Sequence, residues 1–126
     1  MQFRIDNSSE RPIYQQIIDQ IKRDIALNKL QESEKLPTVR QLASQLVINP
    51  NTIAKAYRQL ERDGIIVTKA GAGAFVAELN SSLSRSVRRK IINQQLELIA
   101  IEAIHMQMDK KTLTEQFNST LEKFKY

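Results

Sequence analysis

Between Lys35 and Leu60 the chain carries four bases, Lys35, Arg40, Lys55 and Arg58, and no acid. Thr38, Asn49, Asn51 and Thr52 are spaced among them. Uncompensated cations with short hydrogen-bonding side chains suit a polyanion. Ammonium and guanidinium groups neutralise phosphates, and Arg, Asn and Thr can read base edges. Arg40 is the sharpest candidate, because its fork of donors matches the major-groove edge of guanine. Its plain alternative is a solvated helix arginine. Downstream, Lys69-Ala70-Gly71-Ala72-Gly73 places a cation on a glycine-rich tip. A tight turn alone explains Gly71 and Gly73, and the same lack of side chains permits close approach to a ligand.

Other chemistries find little support. Cysteine is absent, which removes disulfides and thiolate metal sites and fits a reducing compartment. His105 is the sole histidine and has no acid cluster around it, so no metal site is expected. No nucleophile–histidine–acid set, phosphate-binding glycine loop or cofactor motif is present, and the chain reads as a non-enzyme. No apolar run approaches membrane-spanning length. Met1 to Asp6 lacks the apolar core of a signal peptide, so a cytoplasmic protein is expected. The net charge of +5 permits nucleic-acid binding without requiring it. Its distribution is more telling. Residues 1–80 hold 11 Lys+Arg against 9 Asp+Glu, and those acids all fall outside the Lys35–Leu60 stretch, notably in the first helix and the turn after it, at Asp19, Asp24, Glu32 and Glu34.

The elements that must position these residues follow from periodicity and caps. A first helix is expected from Pro12, with Ile13, Ile17, Ile21 and Ile25 on one stripe, fraying near Asn28. Lys29 to Leu36 reads as a loop. Thr38 and Gln41 have capping-box spacing and open a short second helix whose Val39, Leu42, Ala43 and Leu46 share a face. Asn49 as N-cap and Pro50 at the first helical position open a third, with Ile53, Ala56, Tyr57 and Leu60 inward. Gly64 is placed to end it. Arg40, Lys55 and Arg58 lie off the inward stripes. Tyr57 lies on one, which makes it a core residue whose hydroxyl could still reach a phosphate. The β-branched run Ile65–Thr68 and the segment Ala74–Ala77 read as a hairpin around a Lys69–Gly73 turn. Helix, tight turn, helix and hairpin make a winged helix-turn-helix, mainly α with a small β-hairpin.

The remaining residues, 80–126, read as a two-helix tail behind a domain of residues 1–79. Glu78–Ser84 is polar and Ser-rich and reads as a linker. A long helix is expected over about Ser84–Met108. Its apolar residues fall on two stripes, one through Ile92, Leu96, Ile99, Ala103 and Met106 and one through Val87, Ile91, Leu98 and Ile101. Two stripes imply two contact surfaces, more than a lone helix on a monomer needs, and point to a homodimer. A last helix is expected from Thr112, with Glu115 as its capping partner and Leu113, Phe117, Leu121 and Phe124 on one face. Ile91, Ile92, Leu96, Ile99, Ala103, Met106, Phe117 and Leu121 are the candidate dimerisation residues. Arg85, Arg88, Arg89 and Lys90 cluster at the start of the long helix, as a solvated basic end or as contacts to flanking phosphates.

Three ordered motifs carry a family resemblance. They are Leu36-Pro37-Thr38-Val39-Arg40-Gln41-Leu42-Ala43, then Asn49-Pro50-Asn51-Thr52-Ile53, then Gly71-Ala72-Gly73-Ala74-Phe75-Val76, with Tyr57, Leu60 and Gly64 between. Together they resemble the DNA-binding domain of the GntR family of bacterial transcription regulators. The opening Phe3-Arg4-Ile5-Asp6 with Pro12-Ile13-Tyr14-Gln15-Gln16-Ile17, and the short tail, are similar to the YtrA-like subgroup. The resemblance implies a homodimeric DNA-binding regulator, a repressor on an inverted-repeat operator, and suggests a transporter operon as its target. It implies DNA contacts from Arg40, from the Asn49, Asn51 and Thr52 opening, and from the wing tip. One departure stands out: Ala74 occupies the place of the family's wing threonine, so that hydroxyl is missing. The tail is too short for a roomy ligand pocket within one subunit, which leaves either a small effector bound at the dimer interface or no effector at all. A winged helix that binds an acidic protein is the alternative reading, and indifference to DNA sequence would distinguish it.

Overall fold

The computed structural model of the chain describes residues 3–78 and 85–124. Two compact units, Met1–Ser82 and Leu83–Tyr126, divide the chain. The first holds α1 (Ile13–Ala26), α2 (Val39–Leu46), α3 (Pro50–Arg62), β1 (Ile66–Lys69) and β2 (Gly73–Val76). The second holds α4 (Arg85–His105) and α5 (Lys110–Lys123).

α3 is the centre of the first unit, with α1, α2 and β1 packed on it. Its Ile53, Ala56, Tyr57 and Leu60 are buried, as the stripe requires. They meet Ile17, Ile18 and Ile21 of α1 and Leu42 and Ala43 of α2. Each fully buried Ile or Leu contributes about 1.5–3 kcal/mol relative to exposure. α3 ends as expected: Gly64 takes φ 74°, and the Ile65 N–H donates to the Leu60 carbonyl at 2.9 Å, closing the last turn. α1 begins one residue later than Pro12. The proline has ψ 148°, an extended value, and caps the helix from outside.

Ahead of α1, an extended segment is clasped by two glutamines one turn apart. The Gln16 side chain accepts from the Asp6 N–H at 2.8 Å and donates to the Asp6 carbonyl at 3.0 Å. Gln20 does the same for Arg4. Phe3 and Ile5 thereby pack against the core.

The hairpin is antiparallel, with Ile66 opposite Val76 and Lys69 opposite Gly73. Both strands sit one residue off the expected ranges, and Lys69 forms the last rung rather than the turn. Residues 29–36 are more than a loop. Lys35 bridges Phe75, the Leu36 N–H donates to the Ala74 carbonyl at 2.9 Å, and the Val76 N–H donates to the Glu34 carbonyl at 2.9 Å. The segment lies as a third lane on the outer edge of β2, held by buried Leu30 and Leu36.

In the second unit α4 stops at His105, short of Met108, because Gln107 turns left-handed at φ 59° and the Met108 N–H donates back to the Ala103 carbonyl. α5 starts at Lys110, earlier than Thr112. Asp109 caps it by accepting from the Thr112 N–H at 2.7 Å, and hydrogen bonding from the Thr112 hydroxyl, then from its N–H, holds the Asp109 carboxyl below its usual range. The expected Thr112–Glu115 box therefore falls inside the helix. The expected linker lies, from residue 79 to 84, outside the described residues, as does the Val87 side chain.

Candidate nucleic-acid interface

The site begins at the α2 N-terminus. Thr38 Oγ1 accepts from the Gln41 N–H at 3.0 Å, and Gln41 Oε1 accepts from the Thr38 N–H at 2.9 Å. This is the capping box the spacing implied. It fixes the first turn of α2 and presents Arg40, which is exposed and has no ion-pair partner among the described residues. Pro37, Thr38, Arg40, Gln41, Ser44 and Gln45 line an open groove of about 500 Å³ along this helix.

Tyr57 ties α2 to α3. Its hydroxyl donates to the Pro37 carbonyl at 2.6 Å, and only 7% of the residue is exposed. Burial pushes its phenol above the usual range. The single hydroxyl proton is thus engaged inside the fold, which removes it as a donor to a phosphate. Tyr57 instead holds the residue preceding Thr38 against α3.

The turn between α2 and α3 is tight and carries Val47 at φ 54°, ψ 52°, with 90% of the residue exposed. Asn49 then caps α3 by accepting from the Asn51 N–H at 2.8 Å. The Thr52 N–H donates to the Asn49 carbonyl at 3.0 Å, and Pro50 has no N–H to offer. The first-turn amides are therefore occupied internally. The α3 N-terminus offers no free N–H of Asn51 or Thr52 to a phosphate. What remains is the positive end of the helix dipole and the side chains of Asn51, exposed, and Thr52, half-buried.

Lys55 and Arg58 are exposed, as their positions off the core stripe require. Lys55 does not extend freely: its Nζ lies over the Tyr14 ring of α1, 4.0 Å from the centroid. In the wing, Lys69 Nζ lies over Phe75, 4.9 Å from the ring centroid. Gly71, at φ 74°, has open space where a Cβ would stand. Gly73 differs, since a Cβ there would come 3.1 Å from Lys35 Cε. Lys35 therefore lies across the wing, and it is the cation that the motif reading passed over as a site residue. Its signal was its place among the four uncompensated bases.

The tail candidates lie on a separate unit. Ile91, Ile92, Leu96, Ile99, Met106 and Phe117 are exposed, Leu121 is half-buried and Ala103 is buried. Ile99, Ala103, Met106 and Phe117 come together, with Met108 and Leu113, around an apolar groove of about 360 Å³ between α4 and α5. Leu98, Ile101 and Ile104 are also exposed, so α4 shows apolar surface on more than one face. Among the described residues there is no cluster that could hold a metal ion and no helix long and apolar enough to cross a membrane.

Known proteins share this arrangement. Residues 13–76 match the bacterial regulatory proteins of the gntR family. The HTH-type transcriptional repressor YtrA of Bacillus subtilis is 38% identical over 112 residues, covering 89% of this chain and 86% of that protein. A crystal structure described as a transcriptional antiterminator from Listeria monocytogenes EGD-e superposes with a TM-score of 0.87 at 30% identity, covering 98% of this chain and 92% of that one. The DNA-binding domain of AraR, solved in complex with operator ORR3, gives a TM-score of 0.52 at 30% identity over 61% of this chain and 93% of that one. With its winged helix-turn-helix and its ordered motifs, the chain belongs to the GntR family of DNA-binding bacterial transcription regulators.

Proposed function

We propose that the protein is a homodimeric repressor that binds an inverted-repeat operator in the cytoplasm. In this reading α3 of each subunit enters a major groove and the wing lies on the adjacent minor groove. Arg40, Asn51, Thr52 and Lys55 contact base edges or phosphates, Thr38 and Asn49 fix the helix starts, and Arg58 meets the backbone. Lys69, Gly71 and Gly73 form the wing contact. The exposed apolar surface of α4 and α5 pairs the subunits, and two-fold symmetry sets half-sites roughly 34 Å apart. Repression is favoured by the likeness to YtrA of Bacillus subtilis.

The observation that carries the reading is Arg40: exposed, without an ion-pair partner among the described residues, and set on a turn locked by a capping box and by the Tyr57–Pro37 bond. The test is a mobility shift with duplex from upstream of the protein's own gene at moderate salt, competed with random duplex. Retained binding under competition supports the proposal, and displacement at equal competitor overturns sequence specificity. For the tail, ultracentrifugation of the full chain and of a form ending at Asn80 decides the matter. Equal dimerisation of both would remove the tail from the interface.

A further inference from the structure

We propose that Tyr14, on α1 and outside the helix-turn-helix, is a positioning residue for DNA binding that acts through Lys55. The inference rests on the reading of Lys55 as a DNA contact. Tyr14 is half-buried and its helix is anchored on the core by Ile17, Ile18 and Ile21. Tyr14 itself packs against that core. Lys55 is on the exposed side of α3, and its ammonium sits 4.0 Å from the Tyr14 centroid.

That distance is within the range at which a ring quadrupole attracts a cation. An ammonium carries three N–H donors. Directing one toward the ring face leaves the others pointing to solvent, so Lys55 can stay on Tyr14 and still donate to a phosphate or a base. A lysine on its flexible stem otherwise loses considerable rotamer freedom when it is ordered on DNA. Tyr14 removes part of that freedom beforehand, which strengthens binding by preorganisation. The role belongs to the ring, so phenylalanine should serve as well as tyrosine, and an aliphatic residue should not.

The test is a double-mutant cycle on operator-fragment affinity measured across salt concentrations, using the full chain. Lys55→Ala is expected to weaken binding and to lower the salt slope by about one. Tyr14→Leu is expected to weaken binding about two- to fivefold, the range an exposed cation–π contact supports. Tyr14→Phe should match the wild type, and the double variant Tyr14→Leu/Lys55→Ala should bind no worse than Lys55→Ala. A Tyr14→Leu loss of equal size in both backgrounds overturns the proposal, as does a Tyr14→Phe loss equal to that of Tyr14→Leu. If Lys55→Ala binds like the wild type while Arg40→Ala does not, the Lys55 reading fails and Tyr14 falls with it. If the wild type itself prefers no sequence, the fault lies in the proposed function.

A second measurement guards against a Tyr14→Leu that folds poorly. The Lys55 ε-methylene protons should show an upfield ring-current shift by NMR in the wild type and in Tyr14→Phe, retained on adding operator duplex. Random-coil shifts in the free protein, or loss of the shift in the complex, overturn the proposal.

Discussion

Replacing Val47 by glycine should stabilise the DNA-binding unit. Val47 has φ 54° and ψ 52°, a left-handed conformation that a β-branched residue adopts only under constraint. The constraint is visible: the Ile48 N–H donates to the Ala43 carbonyl at 3.0 Å, closing α2 in a geometry that needs the reversed residue between them. Holding a residue with a Cβ there costs about 1–2 kcal/mol, and the crowded valine Cβ argues for the upper half of that range. Glycine removes the steric term but has more freedom in the unfolded chain, a loss of about 0.4–1 kcal/mol. The side chain is 90% exposed, so deleting it forfeits little burial. The net gain is about 1 kcal/mol. For a unit of this size that is about 4–8 °C in Tm. Thermal and urea unfolding of wild type, Val47→Gly and Val47→Ala measure it. Alanine keeps the Cβ and should gain less than glycine. A glycine variant melting at or below the wild type, with alanine above it, would refute the strain argument.

Three further predictions concern the interface. Thr38→Ala breaks the capping box and should cost about 0.5–2 kcal/mol in urea titrations. Arg40→Ala should leave stability within about 0.5 kcal/mol, since the side chain is exposed, but should weaken operator binding by about 1–3 kcal/mol in mobility shifts and relax specificity at one position. Tyr57→Phe leaves the Pro37 carbonyl without its donor and should cost about 0.5–1.5 kcal/mol at neutral pH. Because burial raises the Tyr57 phenol above its unfolded value near 10, its contribution is complete below that pH. Above it the unfolded state ionises first, so the wild type loses stability faster than Tyr57→Phe, and melts taken from pH 8 upward should show the gap narrowing.

The helix-turn-helix was legible because its signals are local. Thr38 with Gln41, Asn49 with Pro50, and Gly64 each act on backbone groups within five residues of themselves, so short spacings reveal them. The inward stripe of α3 was legible for a related reason: one period places Ile53, Ala56, Tyr57 and Leu60 together whatever they pack against. Misreadings arose where two local signals competed or where the partner was distant. Thr112 and Glu115 fit a box, but Asp109, three residues earlier, takes the Thr112 amide. Residues 33–36 carry Ser, Glu and Lys, poor strand formers, and become a lane on β2 only because Leu30 and Leu36 are drawn into the core. The placement of Lys55 on Tyr14 spans 41 positions of chain, and no periodicity within α3 could announce it.

These distant contacts decide how rigid the proposed DNA-facing surface can be. α2 has eight residues, too short to persist alone. Its orientation comes from Leu42 and Ala43 in the core and from the Tyr57 hydroxyl, which holds Pro37 just ahead of the capping box. The Gln16 and Gln20 clasp acts one layer further out. It replaces solvent contacts of the Arg4 and Asp6 backbone with paired amide bonds from α1. That bonding seats Phe3 and Ile5 against the same helix that carries Tyr14. The platform under Lys55 is therefore braced from its outer side as well as from the core. If Lys55 meets DNA as proposed, it gains from such bracing, and residues far from any base contact can in this way bear on affinity.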